Sequence, residues 1–240
     1  MQFFTFVLRT VFISSLLLLL TSPSAAVNTV TIDGIFSDWS DEFCRADNVC
    51  DDFPNQQDAK GACIASNFVT PGPATTAYLR FDFDETGLSG ANSADGCWFV
   101  DVDQDGNVNR ALCFHLTGDP LVLQTTQMFT CNDSAAATCG TPTAAVSSAA
   151  CNENANVTTD RLLNSCPADS ADTGVECSVP LADLGWVSGT ISLLRACTYT
   201  SNLQPNSATF DCMADGANAF IIDPGNGTNV PVELQEFSIE

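Results

Sequence analysis

The chain has 240 residues, of which 29 are acidic and 7 basic, giving a formal net charge of -22. This length fits one domain or at most two, and a hydrophobic fraction of 45% excludes wholesale disorder. The cations Arg9, Arg45, Lys60, Arg80, Arg110, Arg161 and Arg195 are scattered, without the clusters that a nucleic acid or an anionic membrane surface requires.

Residues 1–26 read as a secretory signal. Arg9 precedes an apolar run over 11–20, and Ser24 and Ala26 supply the small residues of a cleavage site. The run is short for a membrane span. The expected mature chain is therefore a single extracellular domain over 27–240, secreted and free of the membrane after cleavage.

The rest of the chain is a series of short alternating runs separated by turn residues, the pattern of strands. Candidate strands lie at 29–32, 77–83, 97–102, 111–116, 121–129, 175–179, 189–200, 208–213, 219–222 and 232–239. Tyr78, Arg80 and Asp82 alternate with Leu79, Phe81 and Phe83. Trp98, Val100 and Val102 share one face of the third run, and Leu112, Phe114 and Leu116 share one face of the fourth. The acids comprise 22 Asp and only 7 Glu, and Asp is a poor helix-interior residue. Nine or ten strands over this length predict an all-β fold, a jelly-roll-like β-sandwich. The segment 130–173 departs from the pattern. It is rich in Ala, Ser, Thr, Asn and Asp, and holds Cys131, Cys139, Cys151 and Cys166. It reads as an inserted excursion held by disulfides, with one short helix near 159–163.

All 12 cysteines lie beyond the signal, and an even number in an exported chain predicts disulfides. A zinc-finger pattern does not form, because Cys-x-x-Cys is missing and His115 is the only histidine. Opposed residues on a hairpin share one sum of residue numbers. A turn centred on Asp105 places Cys97 opposite Cys113. A loop centred between Gln204 and Pro205 places Cys197 opposite Cys212. Opposed residues in non-hydrogen-bonded pairs come close enough for a cross-strand bridge. Short spacings suggest two further local pairs, Cys44–Cys50 and Cys131–Cys139. Sequons begin at Asn132, Asn156 and Asn226, about as many as chance gives a chain rich in Asn, Ser and Thr.

Asp101, Asp103, Asp105, Asn107 and Asn109 alternate around Gly106. Oxygen ligands at alternate positions with a Gly resemble the first half of a calcium loop. Position 12 of an EF-hand would be Glu, whereas Leu112 stands here, and the flanks read as strands. The alternative is a hairpin turn that needs these residues for its backbone alone. Trp39, Trp98 and Trp186 are candidate platforms for sugar rings, weighed against burial in the core. No nucleophile elbow Gly-x-Ser-x-Gly or His-Glu-x-x-His motif occurs, so a non-enzymatic role is expected.

Four segments in order resemble the family-nine-like carbohydrate-binding and DOMON-like β-sandwich superfamily. TIDGIFSDW (31–39) resembles its first strand and turn, through Asp33, Gly34, Asp38 and Trp39. AYLRFDFDETGL (77–88) and CWFVDVDQDGN (97–107) are similar to two of its strands. VECSVPLADLGW (175–186) matches through Glu176, Pro180, Leu181, Leu184 and Gly185. The resemblance implies a secreted sandwich whose relatives bind sugars or haem, some with calcium. The expected partner is a glycan or polysaccharide. The alternative is an extracellular structural or adhesive protein that self-associates.

Overall fold

The computed structural model describes residues 30–39, 44–46, 58–68, 72–83, 93–132, 138–157, 172–199, 202–213, 220–226 and 228–230. They build two antiparallel sheets. The first contains β1 (Cys44–Ala46), β2 (Ala59–Ser66), β3 (Thr76–Phe83), β8 (Ala150–Val157) and β9 (Asp172–Pro180), in the order β1-β2-β3-β9-β8. The second contains β4 (Ser93–Asp101), β5 (Arg110–Thr117), β6 (Val122–Thr130), β7 (Thr143–Ala145), β10 (Ile191–Tyr199), β11 (Thr209–Met213), β12 (Phe220–Asp223) and β13 (Thr228–Val230). Its order is β13-β12-β10-β4-β5-β6-β7, with β11 also paired to β10. The all-β, disulfide-stabilised sandwich is therefore present.

The described residues hold thirteen strands rather than nine or ten. β1, β2, β7, β8 and β13 are additions; β2 and β8 escape the pattern because most of their residues are small or polar and show no apolar alternation. β7 and β8 both lie within 130–173, so much of that segment is sheet rather than loop. The expected helix at 159–163 and closing strand at 232–239 fall outside the described residues. Residues 30–32 are irregular, although the alternation predicts a strand at 29–32.

Between the sheets, the inward residues of β3 and β9 meet those of β4, β5 and β10. Leu79, Phe81, Phe83, Val175 and Val179 pack with Trp98, Val100, Leu112, Phe114 and Leu193. The aromatic centre is close. Ring centroids lie 5.1 Å apart for Trp98–Phe114 and 5.4 Å for Phe81–Phe114. Trp98 Nε1 donates to the Arg80 carbonyl at 2.9 Å, which satisfies its only polar group across the sandwich. Gly96 makes this packing possible, since a Cβ there would lie 2.3 Å from the Phe114 ring.

Five disulfides lie among the described residues: Cys44–Cys63, Cys97–Cys113, Cys131–Cys139, Cys151–Cys177 and Cys197–Cys212. Three of these match the expected pairs. The expected Cys44–Cys50 bridge is replaced by Cys44–Cys63, because β1 pairs with β2 and sets those two residues opposite each other. No helix among the described residues is long and apolar enough to cross a membrane.

Candidate functional site

The outer face of the first sheet is not open to water. Residues 30–39 form a strap across it, with Val30, Phe36 and Trp39 packed against Cys44, Cys63 and Ala65. The polar members of the β3 and β9 alternation are consequently buried, and each must find a partner. Arg80 donates from Nε to Asp82 Oδ1 at 3.0 Å, and its NH2 lies 2.8 Å from Asp82 Oδ2. Its guanidinium also stacks 4.4 Å from the Phe36 ring centroid. Lys60 Nζ donates to Asp172 Oδ1 at 2.6 Å. Burial pushes the Asp82 carboxyl up, while Arg80 pulls it back down.

Glu176, from β9, anchors the strap. Its Oε1 accepts the backbone N–H groups of Asp33 and Gly34, each at 2.7 Å. Its Oε2 accepts Trp39 Nε1 at 3.0 Å. Burial raises its carboxyl, against these three donors. Gly174 clears the way, since a Cβ there would meet the Phe36 ring at 2.6 Å. Asp33, Gly34, Trp39 and Glu176, four residues of the motifs read from the sequence, thus meet at one carboxylate, Asp33 through its backbone N–H alone.

This placement corrects the expected binding face. Trp39 is 3% exposed beneath the strap, and Trp98 is fully buried between the sheets. Neither offers a ring face to a sugar. Trp186 is half-buried against the core, and its Nε1 donates to the Gly189 carbonyl at 2.9 Å. The three indoles line no common surface.

The acidic loop joins β4 to β5. Carboxylate oxygens of Asp101, Asp103 and Asp105 all lie within 4.8 Å of one another. The buried Asp101 carboxylate accepts from the backbone N–H groups of Asp103, Gln104 and Gly106, at 3.1, 2.7 and 2.9 Å. Asn109 Oδ1 accepts the Val102 N–H at 2.6 Å, and Asn107 Nδ2 donates to Asp105 Oδ2 at 3.0 Å. Gly106, at φ +84°, supplies the left-handed residue that the turn requires. Asn107 and Asn109 thus brace the turn through these bonds. Asp103 and Asp105 remain exposed.

His115 Nδ1 lies 2.7 Å from Asp95 Oδ1, and Ser93 Oγ donates to Asp95 Oδ2 at 2.6 Å. The hydroxyl is bound to the carboxylate and not to the imidazole. This is not the nucleophile–base–orienter order of acyl transfer.

A groove that no residue pattern announces lies at the sandwich edge, where the chain passes from β7 to β8. Its volume is about 300 Å³. Leu112, Met128, Ala145, Val146 and Ala149 form its apolar lining, and Thr126, Gln127 and Ser147 its polar lining. Gln127 Nε2 donates to the carbonyls of Met128 and Ala145, at 2.7 and 3.0 Å, which fixes the amide. One wall, 146–149, is held by Asp183 in the turn after β9. Its Oδ2 accepts from Ser147 Oγ, Ser148 N and Ser148 Oγ at 3.2, 2.7 and 3.0 Å. These bonds, led by that from the Ser148 N–H, hold the Asp183 carboxyl below the usual carboxylate range.

No family model, curated protein or solved structure matches the chain.

Proposed function

We propose that this chain is a secreted, non-catalytic binding module for a neutral saccharide, seated in the groove between β6 and the 146–149 wall. The observation that carries this reading is the lining: among the described residues, no charged side chain lines the groove in a chain of net charge -22. A neutral ligand suits such a lining, whereas a cation would be drawn to the acidic surface elsewhere. Leu112, Met128 and Ala145 suit the C–H faces of a sugar, while Thr126, Gln127 and Ser147 suit its hydroxyls. The five disulfides fit an oxidising compartment. The resemblance of the four ordered segments to carbohydrate-binding sandwiches supports the same class.

Calcium enters this reading at the β4–β5 turn. Asp103 and Asp105, with the remaining lone pair of the Asp101 carboxylate, would hold the ion, and water would complete its coordination. Its role there is to stiffen the turn. The double substitution Asp103→Asn/Asp105→Asn should abolish any calcium-dependent rise in Tm; an unchanged calcium titration would remove the ion from the assignment.

The test of the module is titration of the oxidised protein against a panel of neutral oligosaccharides and polysaccharides, with calcium and with EGTA. Saturable binding that weakens several-fold in Gln127→Ala supports the groove. Binding indifferent to that substitution places the site elsewhere. No binding, together with calcium-dependent oligomers, moves the assignment to a self-assembling surface protein.

A further inference from the structure

Four half-cystines form one row across four neighbouring strands of the second sheet. Cys113 on β5 is opposite Cys97 on β4, Cys97 is opposite Cys197 on β10, and Cys197 is opposite Cys212 on β11. All four side chains therefore stand on the same face. The two disulfides, Cys97–Cys113 and Cys197–Cys212, lie side by side in it, each with Cα atoms 4.1 Å apart.

That short separation marks narrow, non-hydrogen-bonded pairs. The N–H and C=O of one strand residue both point to the same neighbouring strand. Cys97 and Cys197, narrow toward their disulfide partners, are thus wide toward each other, with Cα atoms about 5.5 Å apart. This is near the commonest separation for a disulfide, roughly 5.5–6 Å. The Cα spacing of the unbonded pair in the middle of the row thus falls in the range of a bridge, while its Cβ atoms, roughly 5.5 Å apart in a hydrogen-bonded pair, must close to about 4.5 Å for the bond to form.

The surroundings set the direction of entry. Cys97, Cys113 and Cys197 are buried in an apolar cluster with Phe99, Leu194 and Tyr199, whereas Cys212 is half-exposed at its margin. A thiolate in the apolar cluster is costly, so one released at Cys197 does not persist: it bonds to a neighbouring sulfur or takes up a proton.

We propose that this row is a thiol–disulfide exchange relay that takes in an external thiol at Cys212. The incoming thiolate bonds to Cys212 Sγ as the Cys197–Cys212 bond breaks and Cys197 leaves as thiolate. Cys197 then bonds to Cys97 Sγ as the Cys97–Cys113 bond breaks and Cys113 leaves as thiolate. Two disulfides are present before, Cys97–Cys113 and Cys197–Cys212, and two after, Cys97–Cys197 and the mixed disulfide at Cys212. One thiolate enters and one emerges, three strands away, with no net oxidation.

The first test is the substitution Cys212→Ser, which leaves one thiol to be placed. After an acid quench, alkylation and peptide mapping, the label should divide between Cys197 and Cys113, with a Cys97–Cys197 cross-linked peptide. The Cys113 share should exceed roughly one tenth, the level at which the two pairings differ about tenfold in equilibrium constant. Label on Cys197 alone, with Cys97–Cys113 intact, overturns the relay. The second test needs no substitution. The native protein is exposed to limiting glutathione and mapped over time. Glutathione on Cys212 with the free thiol at Cys113 supports the relay. A free thiol confined to Cys197, or no capture at Cys212, overturns it.

Discussion

Trp39 Nε1 donates to Glu176 Oε2 at 3.0 Å across 137 residues of sequence, and this bond fastens the strap to the outer face of the first sheet. The indole satisfies a buried carboxylate while its ring covers Cys44 and Cys63. A residue type associated with sugar platforms is here part of the scaffold.

Trp39→Phe separates the two roles. Phenylalanine keeps most of the apolar cover and removes the donor. The loss of a hydrogen bond to a charged group should cost about 1.5–3 kcal/mol in chemical denaturation. Saccharide affinity should stay at the native value. A fall in affinity with native stability would make Trp39 a ligand contact after all.

The same carboxylate predicts a pH effect. Burial raises Glu176 above the ordinary value of 4.5, so the folded state binds its proton more tightly than the unfolded state. The contribution of this group is full below the unfolded pKa and is lost as pH rises through the folded one. The stability of the native protein relative to Glu176→Gln should therefore fall between about pH 4 and neutrality. Paired denaturation curves at those pH values measure it; a constant difference, or a rising one, would contradict the burial argument.

Tyr199 gives a prediction of opposite sign. Its side chain is buried beside Phe99, with ring centroids 6.1 Å apart, and its hydroxyl finds no partner among the described residues. Burial raises its hydroxyl well above the ordinary range. Tyr199→Phe removes an unsatisfied polar atom and leaves the ring, so stability should rise by about 1 kcal/mol or more. A loss of stability would mean that the hydroxyl does have a partner.

How far the sequence led depended on whether a feature is local. β3, β4 and β5 carry large apolar residues at alternate positions, and the alternation alone reveals them. Cys97–Cys113 and Cys197–Cys212 come from hairpin opposition. β2, with Ala59, Gly61, Ala62 and Ala65, has too little bulk to show a period, and it becomes a strand through its neighbours β1 and β3. Cys44–Cys63 depends on that same pairing. The motif residues Asp33, Gly34, Trp39 and Glu176 are visible one by one, but their meeting is tertiary. Thr126, Gln127 and Ser147 are commonplace residues whose interest arises only where β7 gives way to β8.

Asp183 connects the motif after β9 to the groove. Its carboxylate holds Ser147 and Ser148, and Ser147 also accepts the Ala149 N–H at 3.1 Å. The side chain is largely solvated, so its bonds contribute little to global stability. Their effect is local, because they fix the wall against which a ligand would rest. Asp183→Ala should thus weaken saccharide binding by roughly fivefold, the equivalent of one net hydrogen bond of about 1 kcal/mol. Tm should hardly move. The native carboxyl is depressed, so its contribution is present above the unfolded pKa and is lost as pH falls through the folded one. Binding by the native protein should weaken in acid below about pH 4, while Asp183→Ala should lack that step. Calorimetric titration of both proteins across this range reads both effects together. Equal affinities and equal pH profiles would mean that the 146–149 wall does not depend on Asp183.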